Sequence, residues 1–464
     1  MYESVNTFSR NNAIEIRYGR VAGSMDYFDA RRYVDDVMAG RGSVLGLDAV
    51  RELLRRMDNP QNKVPVVHIA GTNGKGSAVS FISSILRQAG YKTGIYISPS
   101  VFEYRERIQI NGCNISEKEY AEEISVVKNH VDEMERDMIG APTAFEMETA
   151  AAFHYFYKNR CDIAVIETGM GGRDDATNVC NSPLVSAIMS VSKDHTAFLG
   201  DTIEEIASCK AGIIKTGCPV VLYRQDESVI NVIRRFAEEK ASLLKITEKV
   251  SEVKYHKDIT EFDYKSSKDL YKSLNIQMAG TFQPDNAAVA VEIAELLRDK
   301  GFFISRENIY NGLKTALWHG RFEKIGDKPL FYIDGAHNPG ASKCLKSNIE
   351  TYFKDYFVIF IMGVLADKDF DEVVQDTVPL ADYIFAITPN NSRALPAEKL
   401  AAAVQKISKK VIVPESIDEA VVQAIELSEK AEDKESVILA FGSLSYLGEF
   451  KNSYDKSVKC EGKH

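Results

Sequence analysis

The sequence of 464 residues contains no apolar run of the roughly 18 residues that a membrane-spanning helix needs. Its first 20 residues also lack the apolar core of a secretory signal peptide. CxxC spacing is absent too, although the chain has seven cysteines. These absences predict a reduced, cytoplasmic protein with no membrane partner, in which the cysteines fill space in the core.

A basic tract is also missing. The chain has 57 Lys and Arg residues against 67 Asp and Glu residues, which gives a net charge of −10. We therefore expect no nucleic-acid partner, because attraction to phosphates needs a positive surface. The hydrophobic share of 45% and charged share of 27% are typical of a globular protein. Length favours two or three domains, and we expect a monomer.

Short apolar runs alternate with amphipathic segments along most of the chain. Residues 161–169 and 184–190 are predicted buried strands, whereas 285–301 has the periodicity of a helix. This alternation predicts an α/β fold with a mainly parallel sheet. The polar, Lys-rich segment 245–278 is predicted to form an antiparallel excursion.

A second series of strands and helices begins near residue 320. We place the domain boundary within residues 317–323. The prediction is a P-loop N-terminal domain over residues 1–318 and a smaller Rossmann-like α/β domain over residues 319–464. The first 20 or so residues are interpreted as an extension.

The stretch "HIAGTNGKGSAV" (68–79) lies between a predicted strand and a predicted helix. It differs from the usual phosphate-binding pattern G-x-x-x-x-G-K-[ST], because Gly76 separates Lys75 from Ser77. Glycines let backbone amides turn toward phosphates, and the following helix adds its positive dipole end. We define residues 71–77 as the P-loop. Its predicted nucleotide contacts are Thr72, Asn73, Gly74, Lys75, Gly76 and Ser77.

Polar residues follow other predicted strands at the same sheet edge, where ligands bind in open α/β folds. Glu167 is a natural magnesium ligand there, and Ser98 is either a second oxygen ligand or a strand-end turn. His195, beside Asp194, is either structural or a metal or phosphate ligand. Arg173 and its acidic neighbours are candidates to hold a polar substrate.

Six further residues are candidates for the site or for an ordinary structural role. Lys210 lies in a helical segment, where a lysine is ordinarily solvated. Asn286 is either a helix cap or a contact to an adenine edge. Arg321 is a candidate phosphate clamp at the domain junction. Asp334, His337 and Asn338 cluster after a strand, which indicates either a site or a capped turn.

Taken together, ten segments resemble the folylpolyglutamate synthase/dihydrofolate synthase family of the Mur ligase superfamily. Each is weak alone, but they occur in family order over about residues 40 to 450. They are "NPQ…VHIAGTNGKGS", "YISPSVFEYRERIQING", "PTAFEMETAAAF", "IETGMGGRDDATN", "DHTAFLGDTIEEIASCKAGIIK", "GRFE", "DGAHNPGA", "MGVLADKDF", "SRALP" and "GSLSYLGE".

The resemblance implies an ATP-dependent ligase that adds L-glutamate to folate or dihydropteroate through an acyl phosphate. It implies ATP and Mg²⁺, at one site or two, and makes a monovalent cation such as K⁺ a further candidate. Domain closure is expected, because the matching ATP groups come from both halves.

The resemblance also assigns roles by position. The implied catalytic residues are Lys75, His195 and Lys210. The implied metal ligands are Ser98, Glu167, His195 and Lys210, the last as a carbamate. The implied nucleotide contacts outside the P-loop are Asn286, Arg321, Asp334 and His337. Substrate positions are Thr143, Phe145, Arg173 and Asp175.

Departures from the family pattern concern the substrate. Phe282-Gln283 stands where relatives often have "HQ", and Ser100 stands where a histidine is common. Two alternatives therefore stay open. One is a Mur-type ligase acting on another carboxylate, and the other is a nucleotide-binding regulatory ATPase without ligase chemistry.

Overall fold

The structure is a computed structural model that describes residues 25–461, except 43, 45, 257, 368, 392, 409, 432 and 433. The predicted N-terminal extension lies outside the described residues. Two large sheets of mainly parallel strands, each covered by helices, confirm the predicted α/β fold class.

The N-terminal sheet has eight strands in the order β4-β3-β2-β5-β1-β6-β7-β8. All neighbours are parallel except at the β2–β3 and β3–β4 pairs, which form an antiparallel edge. The strands are β1 (Val66–Ala70), β2 (Thr93–Tyr96), β3 (Ile108–Ile110), β4 (Cys113–Asn114), β5 (Ile163–Glu167), β6 (Val185–Ile188), β7 (Val220–Leu222) and β8 (Leu244–Ile246).

Among the described residues of this half of the chain, ten α-helices are present. They are α1 (Tyr27–Arg41), α2 (Asp48–Arg56), α3 (Lys75–Gln88), α4 (Glu117–Arg136), α5 (Ala144–Lys158), α6 (Thr196–Leu199), α7 (Ile203–Ala211), α8 (Glu227–Glu239), α9 (Gln283–Asp299) and α10 (Arg306–Thr315). Helices α1, α2, α4 and α5 share one apolar core with the sheet, and α3, α9 and α10 share another. The central strands are buried on both faces, which explains their unbroken apolar sequences.

The predicted antiparallel excursion is present. Strands β9 (Ser251–Tyr255), β10 (Thr260–Lys265) and β11 (Leu270–Ile276) form a separate three-stranded sheet. Alternate residues of β10 are buried, and they join the core of α3 and α9. The alternation of polar and apolar residues therefore reflects one packed and one exposed face.

The C-terminal sheet has the order β12-β13-β17-β14-β15-β16, and only β12 is antiparallel to its neighbour. Its strands are β12 (Glu323–Asp327), β13 (Leu330–Asp334), β14 (Phe357–Met362), β15 (Tyr383–Ala386), β16 (Val411–Ile412) and β17 (Ser436–Phe441). Its helices are α11 (Pro339–Tyr352), α12 (Phe370–Thr377), α13 (Ala397–Val404), α14 (Ile417–Glu429) and α15 (Leu447–Glu461). None of the helices within the described ranges combines the length and apolar character that a membrane crossing needs.

One local prediction was wrong. The interpretation of Asn286 as a helix cap is wrong, because α9 begins earlier, at Gln283, with Phe282 at the N-cap position. Pro284 is compatible with the first turn of α9. Backbone amides in the first turn have no hydrogen-bond partner within the helix, so the missing N–H of proline costs no bond there. Asn286 is therefore inside the helix and buried, and its side chain is available for a different role.

Helices α3 and α10 pack so closely that Gly312 has no room for a side chain. A methyl group there would lie 2.5 Å from Cα of Ile85. We expect Gly312→Ala to destabilise the fold by about 1–3 kcal/mol, the usual cost of overpacking. Circular dichroism during chemical denaturation measures this as a lower midpoint.

Gly40 in α1 is the matched control, because nothing lies within 4 Å of a methyl group at that position. Gly40→Ala should stabilise the helix by about 0.5–1 kcal/mol. Equal midpoint shifts for the two variants would contradict the packing argument.

Candidate active site

The P-loop joins β1 to α3 at the carboxyl edge of the N-terminal sheet, as predicted. Gly74 adopts a left-handed conformation (φ 84°) directly before α3, so that Lys75 is the first helical residue. A side chain at Gly74 would collide with Asn286, whose Oδ1 would lie 2.6 Å from its Cβ. The amides of the first helical turn and the helix dipole therefore face the same space, as a phosphate site requires.

Lys75 and Glu167 form an ion pair at this edge. The Lys75 Nζ atom lies 3.6 Å from Glu167 Oε1 and donates to the carbonyl of Thr72 at 3.3 Å. Burial raises the pKa of Glu167, and the positive charges of Lys75 and Arg321 oppose that rise. The backbone amide of Ser98 also donates to this carboxylate. A buried acid is thus held against the P-loop.

Asp334 supplies the matching acid from the C-terminal domain. It ends β13 and is buried, and it accepts hydrogen bonds from the backbone amides of Phe322 and Ala336, both at 2.7 Å. Burial raises the pKa of Asp334, whereas the nearby charge of Arg321 lowers it. Arg321 therefore stands between two buried carboxylates, Glu167 and Asp334.

A narrow cleft between the two domains is lined by these groups. Its volume is about 70 Å³, far below the roughly 300–1,000 Å³ of a typical ligand pocket. A nucleotide-sized ligand therefore does not fit the cleft in this conformation. The lining residues are Thr72, Asn73, Gly74, Lys75, Gly76, Ser77, Glu167, Ser190, Tyr223, Phe282, Asn286, Arg321, Asp334, Ala341, Cys344 and Leu345.

Sequence reasoning missed part of this lining. Tyr223 directly follows β7, and a strand-end position on the same edge was the available signal. Cys344 and Leu345 lie on α11, one or two helical turns after the Asp334 cluster. That spacing was the only signal in the sequence for their place in the cleft.

Asn338 makes the direct contact between the P-loop and the C-terminal domain. Its Oδ1 accepts from Asn73 Nδ2 at 3.2 Å, and its Nδ2 donates to Asp194 Oδ2 at 3.1 Å. It also caps α11 by accepting from the amide of Ala341. His337 is close, with Nε2 3.8 Å from Asp194 Oδ2. The cluster is therefore both a capped turn and a contact across the cleft.

Lys210 is buried, so the expectation of a solvated helix lysine is wrong. Its side chain is 3% exposed, and Nζ donates to the carbonyl of Gly71 at 2.9 Å. Burial and then repulsion by Lys75 lower the pKa of Lys210 to about 7, against the attraction of Asp194. The amine thus lies under the P-loop, where burial favours its neutral form.

The predicted metal ligands are not all brought into one place. Among the described residues, Glu167 lines the cleft, whereas Ser98, His195 and Lys210 do not. Ser98 contacts Glu167 through its amide. The His195 side chain is 42% exposed, with Nε2 3.9 Å from Asp194 Oδ1.

The four substrate positions lie at the start of α5 and in the loop after β5. Thr143 caps α5 and is bonded to Glu146 in both directions. Phe145 packs on Gly169, where a methyl group would lie 2.6 Å from its ring. Asp175 is buried and accepts from Thr177 and from the amide of Met170. Only Arg173 is largely exposed, beside Asp174.

Comparison with known proteins was made for both halves of the chain. The Mur ligase middle domain matches residues 69–294, and the Mur ligase glutamate ligase domain matches residues 320–444. The dihydrofolate synthase/folylpolyglutamate synthase of Bacillus subtilis (strain 168) is 34% identical over 430 residues, or 92% of this chain and 98% of that protein. This chain belongs to the folylpolyglutamate synthase/dihydrofolate synthase family. The family resemblance of the sequence is thereby confirmed.

Solved structures agree with this assignment. Mycobacterium tuberculosis folylpolyglutamate synthase complexed with ADP matches with a TM-score of 0.85 and 27% identity, over 92% of this chain and 99% of that one. A folylpolyglutamate synthase in complex with AMPPCP and folate matches with a TM-score of 0.79 and 28% identity, over 94% and 100%. The family fold thus extends over nearly the whole of both chains.

The burial of Lys210 leads to a prediction that separates stability from activity. Lys210→Met keeps the length of the side chain but removes an amine that is costly to desolvate. We expect the thermal midpoint at pH 7 to stay the same or rise, and ligase activity to be lost. Differential scanning calorimetry and product release measure the two effects.

Lys215→Met is the control, because burial also lowers the pKa of Lys215 but its Nζ lies near the carbonyl of Asn178, outside the cleft. This variant should keep its activity. An active Lys210→Met enzyme would contradict a role for Lys210 in the site.

Proposed function

We propose that this chain is an ATP-dependent carboxylate–amine ligase that adds L-glutamate to folate. The observation that carries the proposal is the cleft, in which the P-loop and Glu167 face Arg321 and Asp334 from the other domain. Membership in a family whose relatives are named folylpolyglutamate and dihydrofolate synthases supports the reaction type. A regulatory ATPase would not need a second domain to complete the site.

The proposed reaction has two steps. A carboxylate oxygen of the acceptor attacks the γ-phosphorus of ATP, which gives an acyl phosphate and ADP. The amino group of L-glutamate then attacks the acyl carbon, which forms an amide and releases phosphate and a proton. Lys75 and Arg321 bring positive charge to the phosphate groups, where negative charge develops. Closure around the cleft keeps water from the acyl phosphate.

Nucleotide binding is divided between the domains in this proposal. The P-loop, from Thr72 to Ser77, holds the phosphates. Asn286 and Asp334 hold the nucleoside end, in a part of the cleft also lined by Tyr223 and Phe282. His337 is assigned only to the domain contact.

Mg²⁺ fits the donors present at this edge. Glu167 is a buried carboxylate, and the hydroxyls of Ser77 and Ser98 belong to the adjoining P-loop and strand end. Oxygen donors in small number are what Mg²⁺ prefers when phosphates complete its shell. When bound, the ion would neutralise phosphate charge. His195 and a monovalent cation such as K⁺ stay predictions.

We also propose that Lys210 is carbamylated. In that reaction the neutral amine nitrogen attacks the carbon of CO₂ and loses a proton, which leaves an anionic carbamate. The buried position beside the carbonyl of Gly71 suits this chemistry, because burial favours the neutral amine. The product would place a negative charge near Lys75, in the place of a repelling cation.

Thr143, Phe145, Arg173 and Asp175 are proposed to form the pterin side of the site. Phe145 offers a ring surface, and Arg173 is the exposed cation of the group. The side chains of Thr143 and Asp175 form hydrogen bonds to Glu146 and Thr177. We therefore propose that these two residues maintain the shape of the loop. Dihydropteroate is a second proposed acceptor, and a monomer located in the cytoplasm stays the expectation.

An acceptor comparison tests the function. Purified protein with ATP, Mg²⁺ and L-glutamate should release ADP only when tetrahydrofolate or dihydropteroate is added. A UDP-muramyl acceptor should give no release. ADP release with the muramyl substrate would identify a Mur-type ligase, and release without any acceptor would identify an ATPase.

Lys75→Ala is the active-site variant in the same assay. Removal of one preorganised charge from a phosphoryl-transfer site costs about 10²–10³-fold in rate. We expect at least that loss, with an unchanged circular dichroism spectrum. Glutamate-dependent ADP release near the normal rate would overturn the assignment of the P-loop.

The carbamate proposal leads to a rescue experiment. Lys210→Ala removes the amine and leaves space, so a short carboxylate such as acetate or formate is expected to restore part of the lost activity. Chloride at equal ionic strength is the control. Full activity without any added carboxylate would contradict a role for the carbamate.

A further inference from the structure

The segment that joins the two domains lies on the P-loop helix instead of spanning free space. We define residues 315–318 as the strap. The Ser80 hydroxyl donates to the carbonyl of Leu317 at 2.7 Å, and the hydroxyls of Ser84 and Thr315 are 3.2 Å apart. Gln88 Nε2 donates to the Thr315 hydroxyl at 3.4 Å. The strap therefore follows α3 toward its first turn.

The contacts on α3 repeat every four residues. Positions 76, 80, 84 and 88 lie on one face of a helix, one turn apart. Three of them carry polar side chains that bond the strap, and the fourth is Gly76 in the P-loop. Thr315 is also the last residue of α10, whose Gly312 packs directly on Ile85 of α3, so this end of the strap is held in place by helix packing.

Trp318 holds the other end of the strap, beside the P-loop. A methyl group at Gly76 would lie 2.3 Å from the Trp318 ring, so the indole occupies the space of a side chain. Gly76 is the one of the four positions that can accept the ring, because the other three have side chains. Trp318 also packs against the core shared by α3 and α10. The strap is thus fixed in a single register.

The hydrogen bonds change domain directly after Trp318. The amide of Gly320 donates to Glu323 Oε2 at 2.7 Å, and the carbonyl of Gly320 accepts from the amide of Gly335 at 2.9 Å. The strap is therefore bonded to α3, whereas Gly320 is bonded to the C-terminal domain. His319 alone separates a residue held on α3 from a residue held on the C-terminal domain.

We propose that Trp318 is a positioning residue, which registers the strap against Gly76 and thereby sets Arg321 between Glu167 and Asp334. Arg321 follows Trp318 by three residues, so release of the indole from Gly76 would let the guanidinium leave its position in the cleft. Because Gly76 belongs to the P-loop, movement of the P-loop around a nucleotide is transmitted to the indole. The catalytic part of this inference rests on the proposed function.

Docking of the indole is tested without any ligand or activity. Trp318 is the only tryptophan of the sequence, so all tryptophan emission comes from it. Gly76→Ala should shift the emission maximum to the red and increase quenching by acrylamide. Gly140→Ala, where a methyl group has nothing within 4 Å, should leave both unchanged. Identical spectra for Gly76→Ala and the unsubstituted protein would overturn the docking.

Nucleotide coupling is tested by titration with AMPPCP and Mg²⁺. We expect a saturable change in Trp318 emission whose midpoint equals the dissociation constant from calorimetry. Binding seen by calorimetry without an emission change would overturn the coupling. If calorimetry shows no binding, the proposed function fails, and the Gly76→Ala spectra still decide the docking.

Positioning of Arg321 is tested by a double-mutant cycle. Trp318→Ala should lower kcat/KM for ATP by about 10- to 100-fold, as expected for a displaced catalytic group. In an Arg321→Ala background the same substitution should cost less than about threefold, because the affected group is already gone. Full additivity of the two losses would overturn the proposal.

Two further variants separate positioning from folding. Trp318→Phe retains a ring and should recover most of the activity lost in Trp318→Ala. Leu317→Ala is the matched control, because Leu317 belongs to the strap but is 64% exposed and bonds through its carbonyl only. An equal loss of activity in Leu317→Ala would indicate general weakening of the strap and would contradict a specific role for Trp318.

Discussion

Close approach of other segments to the P-loop backbone is the constraint on which this structure depends. A side chain at Gly71 would collide with Met189 after β6, one at Gly74 with Asn286 of α9, and one at Gly76 with Trp318 of the strap. The missing side chain at each glycine therefore leaves room for a different part of the molecule. The loop is short and glycine-rich because three elements, as well as a phosphate chain, approach it from different sides.

Positively and negatively charged side chains alternate across the cleft between the two domains. Lys75 pairs with Glu167 on one side, and Arg321 stands between Glu167 and Asp334. Burial disfavours each acid in its charged form, so each depends on the cations around it. The cations of the two domains therefore offset the burial of the acids that line the cleft.

Much of the fold was predictable from local pattern. Unbroken apolar runs identify the central strands because parallel strands are buried on both faces, and the alternating segment 245–278 identifies the antiparallel sheet because one face is exposed. The ordinary interpretation of a helix lysine as solvated is wrong for Lys210, since helical periodicity in a short segment does not show which face of the helix packs against a loop 139 positions earlier. Only the family resemblance indicated a role for Lys210 in the site. The helix start before Asp285 was missed because Phe282 caps without a side-chain bond.

The sequence by itself determined the family, the two α/β halves and the residues at strand ends, because these depend on order and spacing along the chain. Only the tertiary structure decided which groups meet. Asn338 bonds to Asn73 across 265 positions, Trp318 fills the space beside Gly76, and Lys210 donates to Gly71. Such contacts depend on the angle between packed helices and on the placement of two sheets. These are long-range properties, and no local periodicity records them.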